Sequence, residues 1–322
     1  MARIFVDESK LALEYVPERI PHREEEFRRL VNIFSPTLET PLVSVRSVVI
    51  GPPGTGKTML AKKLGAYLQG LSDDVIFVHV NCRAERTLAN VVRNLVRSVS
   101  APLPLRGLSA EELLSALLDF LQSIGKRLFL VLDDADFFLE DSADLLYLFT
   151  RVQETLRYPG TVSSLFILHS PHVLLSLDDW TKGALSSEAL VLQRYGKDEL
   201  RDIIAYRAED AFAPGAVTEG AIDVCAELSA IYGSARYALE LLYRAGKIAE
   251  ARGAFQVLPE HVREARVGLP PSVPFEEIGS LSFHEKMILL AIARLLKSTE
   301  KSRTTSGEVE REHQFLCNES FV

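Results

Sequence analysis

Cysteines and long apolar runs are scarce in this sequence, and each shortage excludes a class of protein. Its 322 residues include three cysteines, Cys82, Cys225 and Cys317, and no two of them form a CxxC pair. The sequence therefore predicts neither a disulfide framework nor structural zinc, and the cysteines are interpreted as small buried hydrophobes. No apolar run approaches the roughly 20 residues that span a bilayer, and the N-terminus lacks the apolar core of a signal peptide. We therefore expect a cytoplasmic protein.

An excess of positive charge is also missing. The formal net charge is −8, which disfavours a protein that coats nucleic acid non-specifically. Any contact with DNA would then need local basic groups. Hydrophobic residues make up 47% of the chain and charged residues 25%, the balance of an ordinary globular protein. The length is sufficient for a large core and about two domains, with room for a small third one.

Hydrophobic patterning predicts an α/β domain in residues 1–195. Short apolar strands alternate with helical segments, and such alternation indicates a parallel sheet with helices on both faces, an αβα arrangement. The predicted strands are residues 47–50, 75–80, 128–132, 165–168 and 189–192. Residues 10–34 are predicted to form an extended entry followed by a helix, and the later predicted helices are about 57–68, 87–99, 109–124 and 141–157.

After Tyr195 the pattern contains helices alone. A small all-helical domain is predicted for residues 196–268, and Gly268 with the prolines that follow it indicates a linker. A short third domain is predicted for residues 269–322. The helices predicted in these two domains are about 197–212, 218–232, 234–252, 259–266 and 283–296, and one that begins near Thr305.

A phosphate-binding loop is the strongest motif. Residues 51–58 have the sequence GPPGTGKT, follow a predicted strand and open a predicted helix, which is the context that G-x-x-x-x-G-K-[ST] requires. Inward-pointing N–H groups and the helix N-terminus bind phosphate oxygens, Lys57 is expected to reach the β- and γ-phosphates, and the Thr58 hydroxyl is expected to bind Mg²⁺. We therefore predict that ATP or ADP is bound by Pro53, Gly54, Thr55, Gly56, Lys57, Thr58 and Met59.

Acidic residues follow the apolar strand of residues 128–132. Asp133 is the candidate ligand of Mg²⁺, together with Thr58. Asp134 would lie beside the attacking water, where a general base is expected. The alternative is that Asp134 and Asp136 only begin the next helix, whose N-terminus favours acidic residues.

With these motifs the chain resembles AAA+ ATPases, and in particular the archaeal origin-recognition type DNA replication initiators. This family is related to the eukaryotic origin recognition complex and the cell-division-control loader. Residues 11–26 resemble the family's N-terminal segment near the adenine, and residues 190–195, LVLQRY, resemble its transition into a helical lid. The resemblance implies that Tyr195 and Arg207 contact the nucleotide. The alternatives are a half-buried tyrosine at a strand end and a surface arginine near Glu209.

Two further segments carry family resemblances. Residues 233–236, GSAR, resemble the sensor-2 motif, which implies that Arg236 reaches from the lid to the γ-phosphate and makes the domain angle depend on the nucleotide. The alternative is a solvated helix residue. Arg106 lies in residues 102–109, where the family carries an insertion that touches duplex DNA, which implies a phosphate or minor-groove contact. An ordinary surface loop is the alternative.

Three positions depart from the family's catalytic pattern. Asp134 stands where the family has glutamate, so its carboxylate is about 1.5 Å shorter, and misplacement of this size can cost on the order of a hundredfold in rate. Ser170 occupies the sensor-1 position, where the family has asparagine, and it reaches less far. Residues 178–182 lack the family's arginine finger, since Lys182 has no planar fork. Together these departures predict nucleotide binding with slow or absent hydrolysis.

The C-terminal residues resemble part of the family's winged-helix domain. Residues 281–298 and 304–316 correspond to its first two helices, and a recognition helix and wing would still be needed to read the major groove. The sequence therefore predicts an incomplete winged-helix domain. The resulting hypothesis is a replication initiator that uses ATP or ADP as a conformational switch and binds origin double-stranded DNA, other initiator subunits or the replicative helicase. The alternative is a degenerate AAA+ regulatory ATPase that acts on protein partners without DNA.

Overall fold

A computed structural model provides the structure of two compact units, Met1–Pro270 and Pro271–Val322. The residues that the structure describes are 4–40, 42–138, 149, 158–171, 183, 189–269, 278, 281–299 and 303–320, with the side chains of all but residues 298–299 and 318–320.

A five-stranded sheet forms the centre of the first unit. Its strands are β1 (Arg46–Ile50), β2 (Val75–Asn81), β3 (Arg127–Asp133), β4 (Val162–Leu168) and β5 (Ala189–Val191). They lie in the order β2-β3-β4-β1-β5, and all four neighbouring pairs are parallel. The predicted parallel α/β fold is therefore confirmed, and its short apolar strands follow from burial on both faces.

Helices cover both faces of the sheet. Those before residue 124 are α1 (Glu24–Phe34), α2 (Pro36–Glu39), α3 (Lys57–Leu71), α4 (Cys82–Glu85), α5 (Leu88–Ser98) and α6 (Ala110–Ser123). Alternate strand residues point to opposite sides, so Leu130 packs with α5 and α6, whereas Phe129 packs with α1 and α3 and lies edge-on to Phe34 at 4.9 Å between ring centroids. The helix that the sequence predicts over residues 141–157 lies almost wholly outside the described residues.

Four helices follow the sheet and share a core of their own. The first residues of the chain join this core: a short 3-10 helix spans Glu8–Leu11, the Phe5 ring lies 4.5 Å from that of Phe212, and Lys247 forms an ion pair with Glu8 at 2.5 Å. The first residues of the chain, which the sequence assigns to the α/β domain, thus pack on the helical domain, because their apolar side chains are buried in its core. The four helices are α7 (Lys197–Ala211), α8 (Glu219–Ala230), α9 (Ala235–Ala251) and α10 (Pro259–Val267).

The second unit contains two described helices, α11 (Phe283–Thr299) and α12 (Ser306–Ser320). Both begin within two residues of the predicted positions. Among the described residues of this unit, the buried apolar side chains are Met287, Ala291 and Leu316. No helix in the described part of the chain is both long and apolar enough to cross a membrane.

Candidate functional site

The loop between β1 and α3 curls because two of its glycines adopt left-handed backbone conformations. Gly54 has φ +78° and Gly56, the N-cap of α3, has φ +94°, values that residues with a Cβ rarely adopt. The loop therefore turns directly into the helix N-terminus, as the motif predicts. The predicted nucleotide-binding residues that lie in this loop or the first turn of α3 are Pro53, Gly54, Thr55, Gly56, Lys57, Thr58 and Met59.

Lys57 places a buried positive charge inside this loop. Its side chain is buried, and its ammonium donates hydrogen bonds to the carbonyl oxygens of Gly51 at 2.5 Å and Pro52 at 3.1 Å. Burial lowers the pKa of Lys57 to about 8, against the opposing charges of Asp133 and Asp134. The side chain therefore stays mainly protonated at neutral pH. A buried cation surrounded by carbonyl dipoles is suited to an anionic ligand such as a phosphate group.

Thr58 and Asp133 come together across the loop. Asp133 is buried at the end of β3, and burial by itself would raise its pKa. Hydrogen bonds from the His79 ring, 3.0 Å away, and from the Thr58 hydroxyl outweigh that effect and hold the pKa of Asp133 below its usual value. The carboxylate is therefore ionised at neutral pH. A hydroxyl and an ionised carboxylate are oxygen donors of the kind that Mg²⁺ prefers, so these two residues fit the predicted metal site.

Asp134 is held by side chains from neighbouring strands. Its backbone lies in the left-handed region at φ +54°, Asn81 donates to its carboxylate at 3.0 Å, and the His169 ring lies 3.4 Å from its other oxygen. The second nitrogen of His169 contacts Asp136 at 2.8 Å. Burial raises the pKa of Asp134, and the charge of Asp133 raises it further. Asp134 and Asp136 thus form contacts that a simple helix start does not require.

Sequence analysis missed His79, Asn81 and His169 as residues of this site. Asn81 is paired in register with Asp133, and His169 directly follows β4, the other neighbour of β3. The available signal was their position at strand ends, since the carboxyl ends of parallel strands meet at one sheet edge. The family resemblance pointed to Ser170 instead. Ser170 is half-buried next to His169, and its role at the sensor-1 position stays a prediction.

The helical domain contacts the phosphate loop directly. The backbone N–H of Ala235 donates to the carbonyl oxygen of Gly54 at 3.0 Å, and a Cβ built on Gly54 would lie 1.9 Å from Ser234 Oγ. Arg236 follows in the first turn of α9, and besides burial its positive charge contributes to the lowered pKa of Lys57. The structure thus brings the predicted sensor-2 residues to the loop, whereas a contact between Arg236 and a γ-phosphate stays a prediction.

Tyr195 packs beside the loop and is covered by an arginine that the sequence did not single out. The Arg23 guanidinium lies 4.1 Å from the Tyr195 ring centroid and donates to the carbonyl oxygens of Thr55 and Gln193 at 3.2 and 2.7 Å. Burial raises the pKa of Tyr195 to about 12, and a Cβ on Gly56 would lie 3.0 Å from its hydroxyl. Tyr195 is therefore buried against the phosphate loop.

Arg207 anchors the N-terminal segment. It is 4% exposed, so it is not the surface arginine that the alternative interpretation supposed. Its guanidinium donates to the Lys10 carbonyl, with Nε at 2.8 Å, and lies 5.1 Å from the Tyr15 ring centroid. Residues 11–26 resemble the family's segment near the adenine, so Arg207 holds the start of that segment in place. A direct contact between Arg207 and the nucleotide stays a prediction.

Arg106 is exposed on a loop that is fixed to the core. Leu103 and Leu105 pack against the core on one face of the sheet, and Arg93 donates to the Leu105 carbonyl at 3.1 Å. The loop therefore presents a cation to solvent from a defined backbone, as a DNA contact would require. The segment predicted to lack an arginine finger, residues 178–182, lies outside the described residues.

Comparisons with known families cover most of the chain. Residues 47–169 match a family model described as an AAA domain, and residues 201–267 match the Cdc6 AAA+ ATPase-type lid domain. Residues 276–322 match the CDC6 C-terminal winged helix domain. The predicted AAA+ fold with a helical lid and winged-helix residues is therefore confirmed.

Individual relatives agree with these matches. The chain is 35% identical over 312 residues to ORC1-type DNA replication protein 1 of Sulfurisphaera tokodaii, covering 96% of this chain and 77% of the relative. It resembles the crystal structure of Cdc6p from Pyrobaculum aerophilum with a TM-score of 0.77 and 31% identity, over 98% of this chain and 85% of that one. For the structure of Aeropyrum pernix ORC1 in complex with DNA, the TM-score is 0.77 and the identity 33%, over 98% and 82%. The chain therefore belongs to the ORC1/Cdc6 family of AAA+ DNA replication initiators.

Proposed function

We propose that this chain is an ATP- or ADP-binding initiator that contacts origin double-stranded DNA and takes part in helicase loading with other initiator subunits. The observation that carries the proposal is the direct hydrogen bond between Ala235 of the lid and Gly54 of the phosphate loop, at 3.0 Å. A ligand that orders the loop would therefore also fix the start of α9. The nucleotide would act as a conformational switch, because it would bind one lid position more tightly than another.

The nucleotide would be held by groups that the loop already orients. Lys57 and the N–H groups at the start of α3 would bind the β- and γ-phosphates, and Arg236 would approach from the lid. Tyr195 and Arg207 would support the adenine end of the site. Thr58 and Asp133 would hold Mg²⁺, which when bound neutralises charge on the phosphate oxygens. The hydrogen bond between the Thr58 hydroxyl and Asp133 supports this pairing.

Hydrolysis would be slow because the Asp134 side chain is shorter than that of glutamate and both of its carboxylate oxygens already have partners. Its two carboxylate oxygens already face Asn81 and His169, and its left-handed backbone directs a side chain one methylene shorter than glutamate. A general base must lie within hydrogen-bond reach of the water that it deprotonates. The bound nucleotide would therefore persist, as a switch with a long-lived state requires.

Asp134→Glu is expected to raise the single-turnover rate of ATP hydrolysis by up to about a hundredfold, because it restores roughly 1.5 Å of reach. ATP affinity should stay unchanged, since Asp134 is not assigned to nucleotide binding. Rapid-quench measurement of ADP formation with enzyme in excess over ATP provides the rate. Asp134→Asn is the control, since a carboxamide takes up no proton and should abolish hydrolysis. A rate in Asp134→Glu equal to or below that of the unaltered protein would contradict the proposal.

Binding of duplex DNA is supported by Arg106 and by the Aeropyrum pernix relative whose structure contains DNA. Arg106 is exposed on its anchored loop, and that relative is 33% identical over nearly the whole chain. Since the net charge is −8, a contact through a local cation is needed to overcome repulsion of the phosphate backbone.

Arg106→Ala is expected to weaken duplex DNA binding by about fivefold or more and to reduce its salt dependence by roughly one phosphate contact. Fluorescence anisotropy with labelled duplex DNA and ATP, at two salt concentrations, measures both quantities. Arg29→Ala, which removes an exposed arginine from α1, is the matched control and should leave binding unchanged. Absence of DNA binding at low salt would instead support the regulatory ATPase that acts on protein partners.

A further inference from the structure

Three side chains of the kinds that bind metal ions meet in the second unit, and none of them belongs to the nucleotide site. His284 lies on α11, and His313 and Cys317 lie on α12. One ligand atom from each lies within 4.8 Å of the other two. Cys317 Sγ is 3.5 Å from His313 Nε2, and the centroids of the two histidine rings are 5.8 Å apart.

The spacing of these atoms suits a tetrahedral ion. His313 and Cys317 are four residues apart on one helix, so their side chains share a face. Around tetrahedral Zn²⁺, with bonds of about 2.0–2.1 Å to nitrogen and 2.3 Å to sulfur, neighbouring ligand atoms lie roughly 3.5 Å apart. The sulfur–nitrogen pair already has this separation. His284 is exposed, and its ring nitrogen would need to move toward the other two ligand atoms by a distance on the order of 1 Å, which a side-chain rotation provides.

We propose that His284, His313 and Cys317 bind a transition-metal ion of the Zn²⁺ class, with water at the fourth position. Imidazole and thiolate ligands select such ions over Mg²⁺, which prefers oxygen. The exposure of His284 leaves one side of the cluster open to solvent. Binding forms two metal–nitrogen bonds and one metal–sulfur bond, and the thiol proton leaves to solvent.

The bound ion would connect α11 to α12. Among the described residues of this unit, only Met287, Ala291 and Leu316 are buried apolar side chains, a small core for two helices of this length. Small units of this kind gain stability from a metal crosslink. The absence of a CxxC pair did not reveal this cluster, because it contains a single cysteine, placed four residues after a histidine.

Titration of the nucleotide-free 322-residue chain with Co²⁺ tests the site, because a cobalt–thiolate bond produces a charge-transfer absorption band. One equivalent should bind with this band, and Zn²⁺ should displace it. Cys317→Ser should abolish the band, and His284→Ala and His313→Ala should each weaken Co²⁺ binding by more than about tenfold. His22→Ala, which removes a histidine of the first unit that pairs with Asp202, is the matched control and should bind Co²⁺ normally.

Thiol reactivity provides a second readout on the same protein. Cys82 and Cys225 are buried, and burial raises the pKa of both thiols, that of Cys225 to about 12. A disulfide reagent should therefore modify Cys317 first in the native protein. One equivalent of Zn²⁺ should slow this reaction more than about tenfold, and His284→Ala should remove the protection. Cobalt binding without a thiolate band, or Cys317 reactivity that Zn²⁺ leaves unchanged, would overturn the proposal.

Discussion

Replacement of Lys57 by alanine should abolish measurable nucleotide binding. The Lys57 ammonium is a buried cation in the loop, and the hydrogen bonds that we expect it to donate to phosphate would be charge-assisted, each worth about 1.5–3 kcal/mol. Loss of two such bonds corresponds to an increase in Kd of more than about a hundredfold. Titration with a fluorescent ADP analogue, or isothermal calorimetry, measures this change directly.

The matched control for Lys57→Ala is Lys62→Ala. It removes the same charge from the same helix, at a half-buried position away from the loop, and should leave the affinity unchanged. Burial lowers the pKa of Lys57, which means that the fold disfavours its charged form. The variant also loses the hydrogen bonds to the Gly51 and Pro52 carbonyls, so the thermal midpoint of the nucleotide-free protein is measured alongside the affinity to verify that the variant is folded. Undiminished nucleotide retention in Lys57→Ala would refute the site assignment.

Substitution of Gly54 by alanine is expected to destabilise the first unit by about 2–5 kcal/mol. A left-handed backbone costs a residue with a Cβ roughly 1–2 kcal/mol, and overpacking adds about 1–3 kcal/mol. The new Cβ would lie 1.9 Å from Ser234 Oγ and 2.8 Å from Ser234 Cβ, so the lid would have to move away from the loop. Nucleotide affinity should fall with it. Urea denaturation and the same nucleotide titration measure the two effects.

The control variant Gly215→Ala separates the cost of backbone strain from the cost of the steric clash between a Cβ at position 54 and Ser234. Gly215 has φ +72°, close to the φ of Gly54, but nothing lies within 4 Å of its added Cβ, so only the backbone cost of about 1–2 kcal/mol should appear. The double variant Gly54→Ala with Ser234→Gly should recover most of the remaining difference, because it removes the two closest atoms. Equal destabilisation by Gly54→Ala and Gly215→Ala would mean that the lid does not pack on the loop in solution.

The predicted helices and strands agree with the structure where residues nearby in the sequence decide the start and end of an element. The helix predicted at residues 57–68 extends to Leu71, and the other predicted helices that fall on described residues begin and end within a few residues of the predicted positions. The strand predicted at 165–168 instead begins at Val162, because Ser163 and Ser164 are buried although polar. Ser163 Oγ accepts a hydrogen bond from the Val45 N–H at 3.0 Å, a partner 118 residues away that the local pattern could not reveal.

By itself, the sequence determined the phosphate loop, since eight consecutive residues contain the glycines, the lysine and the helix start that phosphate binding needs. It also indicated the family, because residues 190–195 and 233–236 resemble the family's lid transition and sensor-2 motif. Only the tertiary structure decided which groups surround that loop. His169 contacts Asp136 across 33 residues, His79 contacts Asp133 across 54, and Arg207 binds the Lys10 carbonyl across 197. Parallel strands bring their carboxyl ends together whatever their order along the chain, and a buried arginine must find carbonyl partners wherever the fold supplies them. Such contacts depend on the whole fold, so a short segment of sequence does not encode them.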